Sequence, residues 1–265
     1  MKRLILLMVI AIAIMDFGCQ KTENYVWTGQ LYLTGRATFP EKLKGKVQEI
    51  TQYGCEANEE NGKIVKGKFT EAWREQYNES GIILSTASLD SLGKIRTNAW
   101  STKAEAEGEK LTKAMYYLRD TLRAYTKNTY TGENLTKVAF FNPENDTLYM
   151  SVVYTYDQNG ILSKFQAFNY KNEPRDYAEF SFGPSGELKL RKIYSAKGEL
   201  TQQYDWSFND QGERIGSHEQ NFINGTLSEI KYVYEYDKNG NKIKYFFYKN
   251  DKLVTLRERE IKYYD

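Results

Sequence analysis

Tyr234-Glu235-Tyr236-Asp237-Lys238-Asn239-Gly240 is the stretch whose reading decides the fold. It runs aromatic-x-aromatic-x-x-x-Gly, and the same pattern stands at Tyr154 to Gly160, Phe180 to Gly186 and Trp206 to Gly212. The four copies lie 26, 26 and 28 residues apart. Self-similarity at a fixed period marks a repeat architecture. Working outward, fifteen turn signals recur at roughly 13-residue spacing from residue 62 to residue 251, most with Gly, Asn or Asp. These residues tolerate the positive φ of hairpin turns. A branched apolar residue follows nearly every turn, among them Ile83, Leu111, Leu135, Leu162, Leu188 and Leu253. That offset ties the weak early copies to the strong late ones.

Between turns the chain alternates. Tyr232, Tyr234 and Tyr236 share one face, with Lys231, Val233 and Glu235 on the other. Period-2 alternation is the signature of a half-buried strand. Tyr, Phe, Thr and Val favour such pleated surfaces, and the chain holds 22 Tyr and 13 Phe in 265 residues. The expected fold is all-β: a long antiparallel meander of about 16 short strands, too wide to stay flat, in a curved or spiralling sheet that packs or closes on itself. One segment is ambiguous. Leu111, Met115, Leu118, Leu122 and Tyr125 are spaced like a helical stripe, yet the turn ladder passes through Arg119-Asp120-Thr121 in step. Residues 109–125 are read as strand, with helix as the alternative.

The first 18 residues stand apart from this pattern. Lys2 and Arg3 precede the apolar run Leu4 to Met15, and Gly18-Cys19 follows. This is an export signal. Cys19 is the expected lipid attachment site, because a small residue before a cysteine resembles a bacterial lipobox. Asp16-Phe17 departs from that motif. The expected organisation is a signal peptide at 1–18, a lipidated N-terminus and tether at 19–44, and one β-repeat domain at 45–265. Cys55 then has no intramolecular partner and is read as a structural residue.

The segment Tyr234-Glu235-Tyr236-Asp237 through Ile243 resembles a YD repeat of the RHS and related bacterial surface proteins, as does Tyr154-Thr155-Tyr156-Asp157. The likeness covers residues 150–265 reasonably and 45–150 only loosely. It implies a β-hairpin meander that coils into a shell or wraps a partner, and no catalysis. With the signal, the chain looks like a Bacteroidota-type YD-repeat lipoprotein. Gln20 after Cys19 implies the outer membrane by the sorting convention of such lipoproteins.

Little in the sequence carries chemistry. His218 is the single histidine, beside Glu219, and is read as a polar strand-face residue. One His and one free Cys cannot build a tetrahedral zinc site, and Asp157-Gln158-Asn159-Gly160 lacks the distal Glu of a calcium loop. No catalytic residue, metal or cofactor is expected. A net charge of +2 argues against nucleic acid. Charged strands such as Leu188 to Lys192 and Arg257 to Glu260, with a mean hydropathy of −0.68, argue against a lipid-facing barrel.

Aromatic rows are read mainly as core. As a stacking or anchor surface, the candidates are Trp206, Phe208, Tyr234, Tyr236, Phe246 and Tyr248, with an exposed patch sought first near residue 246. Asp90-Ser91-Leu92, Asp120-Thr121-Leu122 and Asp146-Thr147-Leu148 resemble the Bacteroidota O-glycosylation signal, which makes Ser91, Thr121 and Thr147 candidate acceptors, against simple turn chemistry. The expected function is a non-enzymatic, lipid-anchored envelope protein binding a protein or glycan through its sheet. A structural lipoprotein without a small ligand, or a glycan-active hydrolase, are the alternatives.

Overall fold

Turn chemistry sets the strands. In Asp157-Gln158-Asn159-Gly160-Ile161, the Gly160 N–H donates to the Asp157 carbonyl at 3.0 Å, and the Asp157 N–H donates to the Ile161 carbonyl at 2.8 Å. The Asp157 carboxylate accepts from the N–H groups of Asn159 and Ile161, at 2.8 and 2.9 Å. Gly160 sits at φ +72°, where a β-carbon is disfavoured. The same pattern is built on Asn78, Asn169, Asn209 and Asp237. The Asp of the repeat is therefore a turn cap.

A computed structural model describes residues 43–108, 110–184 and 186–265. The expected signal, Cys19 and most of the tether lie outside them. The strands are β1 Val47–Glu60, β2 Lys63–Tyr77, β3 Ile83–Leu89, β4 Trp100–Glu107, β5 Lys110–Leu118, β6 Thr121–Thr131, β7 Asn134–Asn142 and β8 Thr147–Tyr156. They continue as β9 Leu162–Asn169, β10 Pro174–Phe182, β11 Leu188–Tyr194, β12 Leu200–Phe208, β13 Arg214–Asn221, β14 Thr226–Tyr236, β15 Lys242–Lys249 and β16 Lys252–Tyr263. Each pairs antiparallel with its sequence neighbours, and β1 pairs with β16, so the meander closes into a 16-stranded barrel. Residues 110–118 and 121–131 are strands, which resolves the helical alternative.

Closure follows from a device repeated at hairpin after hairpin. Thr155 faces Lys164 and Tyr156 faces Leu162, so Ser163 is an extra residue. The same one-residue bulge follows the turns before Ile83, Leu111, Leu135, Leu188, Arg214 and Leu253. Bulges bend a strand and increase its twist, and repeated bulges curve a sheet. They also change the inward sequence from i, i+2 to i, i+3, i+5. Leu135, Val138 and Phe140 follow this rule, as do Leu162, Phe165 and Ala167, and all six are buried. Inward residues of β1 to β12 merge into one apolar core that includes Trp73, Tyr116, Phe140, Phe165 and Phe180.

The repeat's tyrosines tie one hairpin to the last. The Tyr130 hydroxyl donates to the Leu111 carbonyl at 3.0 Å, Tyr156 to Leu135 at 2.7 Å, and Tyr234 to Arg214 at 2.5 Å. At the seam, Ile50 faces Ile261 and Gln52 faces Arg259. Asn241 is buried and clamps the incoming chain: it accepts from the Lys44 N–H and donates to the Lys44 carbonyl, both at 2.7 Å.

Candidate binding surfaces

The barrel offers an inner and an outer wall, and the β12–β16 sector carries the aromatics singled out from sequence. On the inner wall, cross-strand pairing sets Trp206 opposite Ser217, Tyr232 opposite Phe247, and Tyr234 opposite Tyr245. The Tyr232–Phe247 and Tyr234–Tyr245 pairs meet edge to face, 5.4 and 5.3 Å between centroids. Arginines lie over the rings: Arg191 is 4.2 Å from the centre of Tyr204, Arg214 4.5 Å from Tyr232, Arg257 4.6 Å from Phe247 and Arg259 4.3 Å from Tyr245. Guanidinium–ring contacts of this kind gain strength when desolvated. Arg257 also pairs with Glu71 at 3.0 Å, and Arg259 donates to Gln52 at 2.9 Å. The arginines are thus held within the wall.

The six candidate aromatics do not share a surface. Trp206, Phe208, Tyr234 and Tyr236 belong to the inner wall, and only Tyr236, at the rim, is well exposed (41%). Phe246 and Tyr248 face outward, but Phe246 is 6% exposed, so the patch sought near residue 246 is covered. The cover is the long β1–β2 hairpin. Register shifts between Gly54 and Ala57 set off its tip from the seam pairing. Tyr248 donates to Glu59 at 3.0 Å, and Lys66 pairs with Glu258 at 2.5 Å. Ala57, Phe246, Leu253 and Leu256 form a second apolar cluster beneath it, with Cys55 against its edge. Burial raises the Cys55 thiol, with the Lys66 charge opposing.

A second cover is the β3–β4 loop. Ile95 bridges to Leu89, which is fully buried. A β-carbon on Gly93 would come within 2.8 Å of the Tyr53 hydroxyl, and Gly93 has φ +76°, so the approach needs glycine there.

His218 faces outward from β13, opposite Asp205 and Glu229, and pairs with Glu229 at 3.4 Å where both are well exposed. The neighbouring Ser217 points inward, with its hydroxyl 3.0 Å from that of Tyr232. Ser217 and His218 therefore lie on opposite walls. Gly216 leaves an outer depression of about 420 Å³ lined by Ser207, His218, Glu229, Lys231 and Tyr248. Among the described residues no cluster of His, Cys, Asp and Glu could hold a metal. The candidate acceptors are all exposed: Ser91 lies in a turn, and Thr121 and Thr147 are the first residues of β6 and β8.

The rest of the outer wall is charged. Lys103, Lys127, Lys164, Asp205, Glu235 and Glu258 interrupt any apolar band. Between them, rings stack in the sheet plane, Tyr125 on Phe141 at 5.3 Å and Tyr177 on Tyr194 at 4.6 Å. Sequence reading of repeats had pointed to the late copies. The outer lysine–tyrosine rows of β4–β11 emerge only once the strands are paired.

The chain matches no family profile, and no curated protein is similar in sequence. Among solved structures, it is similar to a porin-like protein from Bacteroides uniformis, with 9% identity, a TM-score of 0.39, and coverage of 83% of this chain and 99% of the other. A porin-like protein from Bacteroides vulgatus gives 9% identity and a TM-score of 0.34, covering 82% and 98%. The Photorhabdus luminescens Tc holotoxin pore gives 12% identity and a TM-score of 0.21, covering 76% of this chain and 15% of that one.

Proposed function

We propose that the chain is a non-enzymatic cell-envelope protein, held at the outer membrane by lipid on Cys19, whose barrel is a rigid body for docking a protein or glycan. The observation that carries this is the division of the walls. The inner wall is packed with apolar side chains and arginine–ring contacts, while the outer wall carries charges that a lipid-facing surface excludes. A wall of that kind meets water, so membrane attachment falls to the N-terminus and recognition to the outside. The burial of Trp206 and Phe246 favours a second reading, a purely structural lipoprotein. Ser91, Thr121 and Thr147 are the candidate glycan acceptors in either case, against simple turn chemistry.

The test is membrane fractionation with mass spectrometry of the N-terminal and turn peptides. Wild-type protein is expected in the outer-membrane fraction with an acylated Cys19, and Cys19→Ala in the soluble fraction. An unmodified Cys19 with membrane retention in both would defeat the proposal.

A further inference from the structure

Four consecutive strands, β4 to β7, each present a lysine on the outer wall: Lys103, Lys113, Lys127 and Lys137. Neighbouring strands lie about 4.8 Å apart, so these ammoniums form an oblique stripe around the barrel. Lys113 stands directly opposite Lys127, a like-charge pairing that weakens a sheet. Both ammoniums hover over the Tyr125 ring, 5.5 Å from its centre in each case. Lys127 also lies 4.6 Å from the centre of Phe141, and Lys103 5.6 Å from Tyr117. The Lys113 and Lys127 side chains remain 36% and 58% exposed, so both ammoniums stay open to water beside these rings. Glu105 reaches Lys113 at 3.5 Å and Asp146 reaches Lys127 at 3.7 Å, so two carboxylates stand against four lysines.

We propose that this stripe binds an acidic polysaccharide, its carboxylates pairing with successive ammoniums. The proposal deepens the docking function above and rests on it. A protein partner needs an apolar anchor site. Here the outward residues among the lysines are Glu105, Met115, Thr129 and Ala139, with Val153 opposite Lys137, and the Tyr117, Tyr125 and Phe141 rings already carry ammoniums. Nucleic acid needs a wide basic field, and the wall elsewhere carries Glu179, Glu229, Glu235 and Glu258. A uronate chain, with one carboxylate per sugar, offers anions at a regular repeat to a wall with one ammonium per strand.

Polygalacturonate is the probe, with neutral dextran and single-stranded oligo-dT as comparators, titrated into the full chain over a range of salt. Wild type is expected to bind polygalacturonate and not dextran. The variant Lys113→Gln/Lys127→Gln/Lys137→Gln is expected to bind about tenfold more weakly or worse, with a flatter salt dependence. Lys231→Gln/Lys252→Gln, elsewhere on the barrel, is expected to bind as wild type. Thermal melts check folding, and Lys103→Gln/Lys137→Gln, which spares the central pair, replaces the triple variant if that one does not fold. Absence of polygalacturonate binding, equal loss in both variant sets, or tighter binding of oligo-dT would overturn the proposal. Purified protein reports on this stripe whether or not Cys19 carries lipid, so the two proposals fail separately.

Discussion

Tyr156 shows how a single residue serves two ends. Its ring lies against the core beside Leu162, and its hydroxyl reaches back to the Leu135 carbonyl of the preceding hairpin at 2.7 Å. Tyr156→Phe keeps the ring and removes the bond. The expected cost is about 1 kcal/mol, since a backbone carbonyl loses its side-chain donor. Denaturant unfolding of the two proteins measures it. An unchanged midpoint would mean that water replaces the hydroxyl at no loss. The aromatic pair and the Gly of each late repeat were legible in the sequence because spacing alone exposes them. The partner of the hydroxyl was not, because it lies 21 residues upstream in another hairpin.

At the scale of the element, the bulge explains what periodicity could and could not reveal. Leu111, Met115, Leu118, Leu122 and Tyr125 mimic a helical stripe because each bulge adds a step of three to a period of two. Once the strands pair, Leu111 points inward while Met115, Leu122 and Tyr125 point outward. The β1–β2 hairpin was hidden for another reason. Its tip packs on strands nearly 200 residues away, and no local pattern reports such a contact. Its role is testable through Cys55. With Cys19→Ala, so that one thiol remains, alkylation of Cys55 is expected to be slow, because the thiol is raised by burial and half covered. Replacing residues 58–66 by a short Gly-containing turn is expected to speed labelling several-fold, as judged by mass spectrometry over time. Equal rates would show that the tip does not shield the cluster.

For the whole molecule, the seam decides whether the barrel is closed. Glu49 straddles it, 2.8 Å from Lys262 of β16 and 3.7 Å from Arg74 of β2. Burial opposes its charge, yet the Lys262 bond and the two cations hold its carboxyl below the usual value of 4.5. Asp237, beside Tyr263, is likewise lowered against the cost of burial. A carboxyl with a depressed folded pKa adds stability above its unfolded value and loses it as pH falls through the folded one. Thermal stability is therefore expected to be level from neutral pH down to about 4.5 on this account and to drop below it. Glu49→Gln is expected to melt lower at pH 7 and to show a shallower drop in acid. Parallel melting curves for both proteins across that window would remove Glu49 from the seam's energetics.

The pairing of β1 with β16 has a consequence for the chain as a line. A ring of strands has no first member, and here the Tyr264 N–H donates to the Lys46 carbonyl at 2.8 Å, so the two ends of the ring lie side by side. Every neighbour contact in the ring is between strands that follow one another or meet at this one junction. Joining the ends by a short linker and cutting at another hairpin, such as Asn224-Gly225, preserves each of those pairings. The order in which the gene spells the strands is then a matter of where a cycle was opened, and the place of opening fixes only at which rim the first and last strands meet.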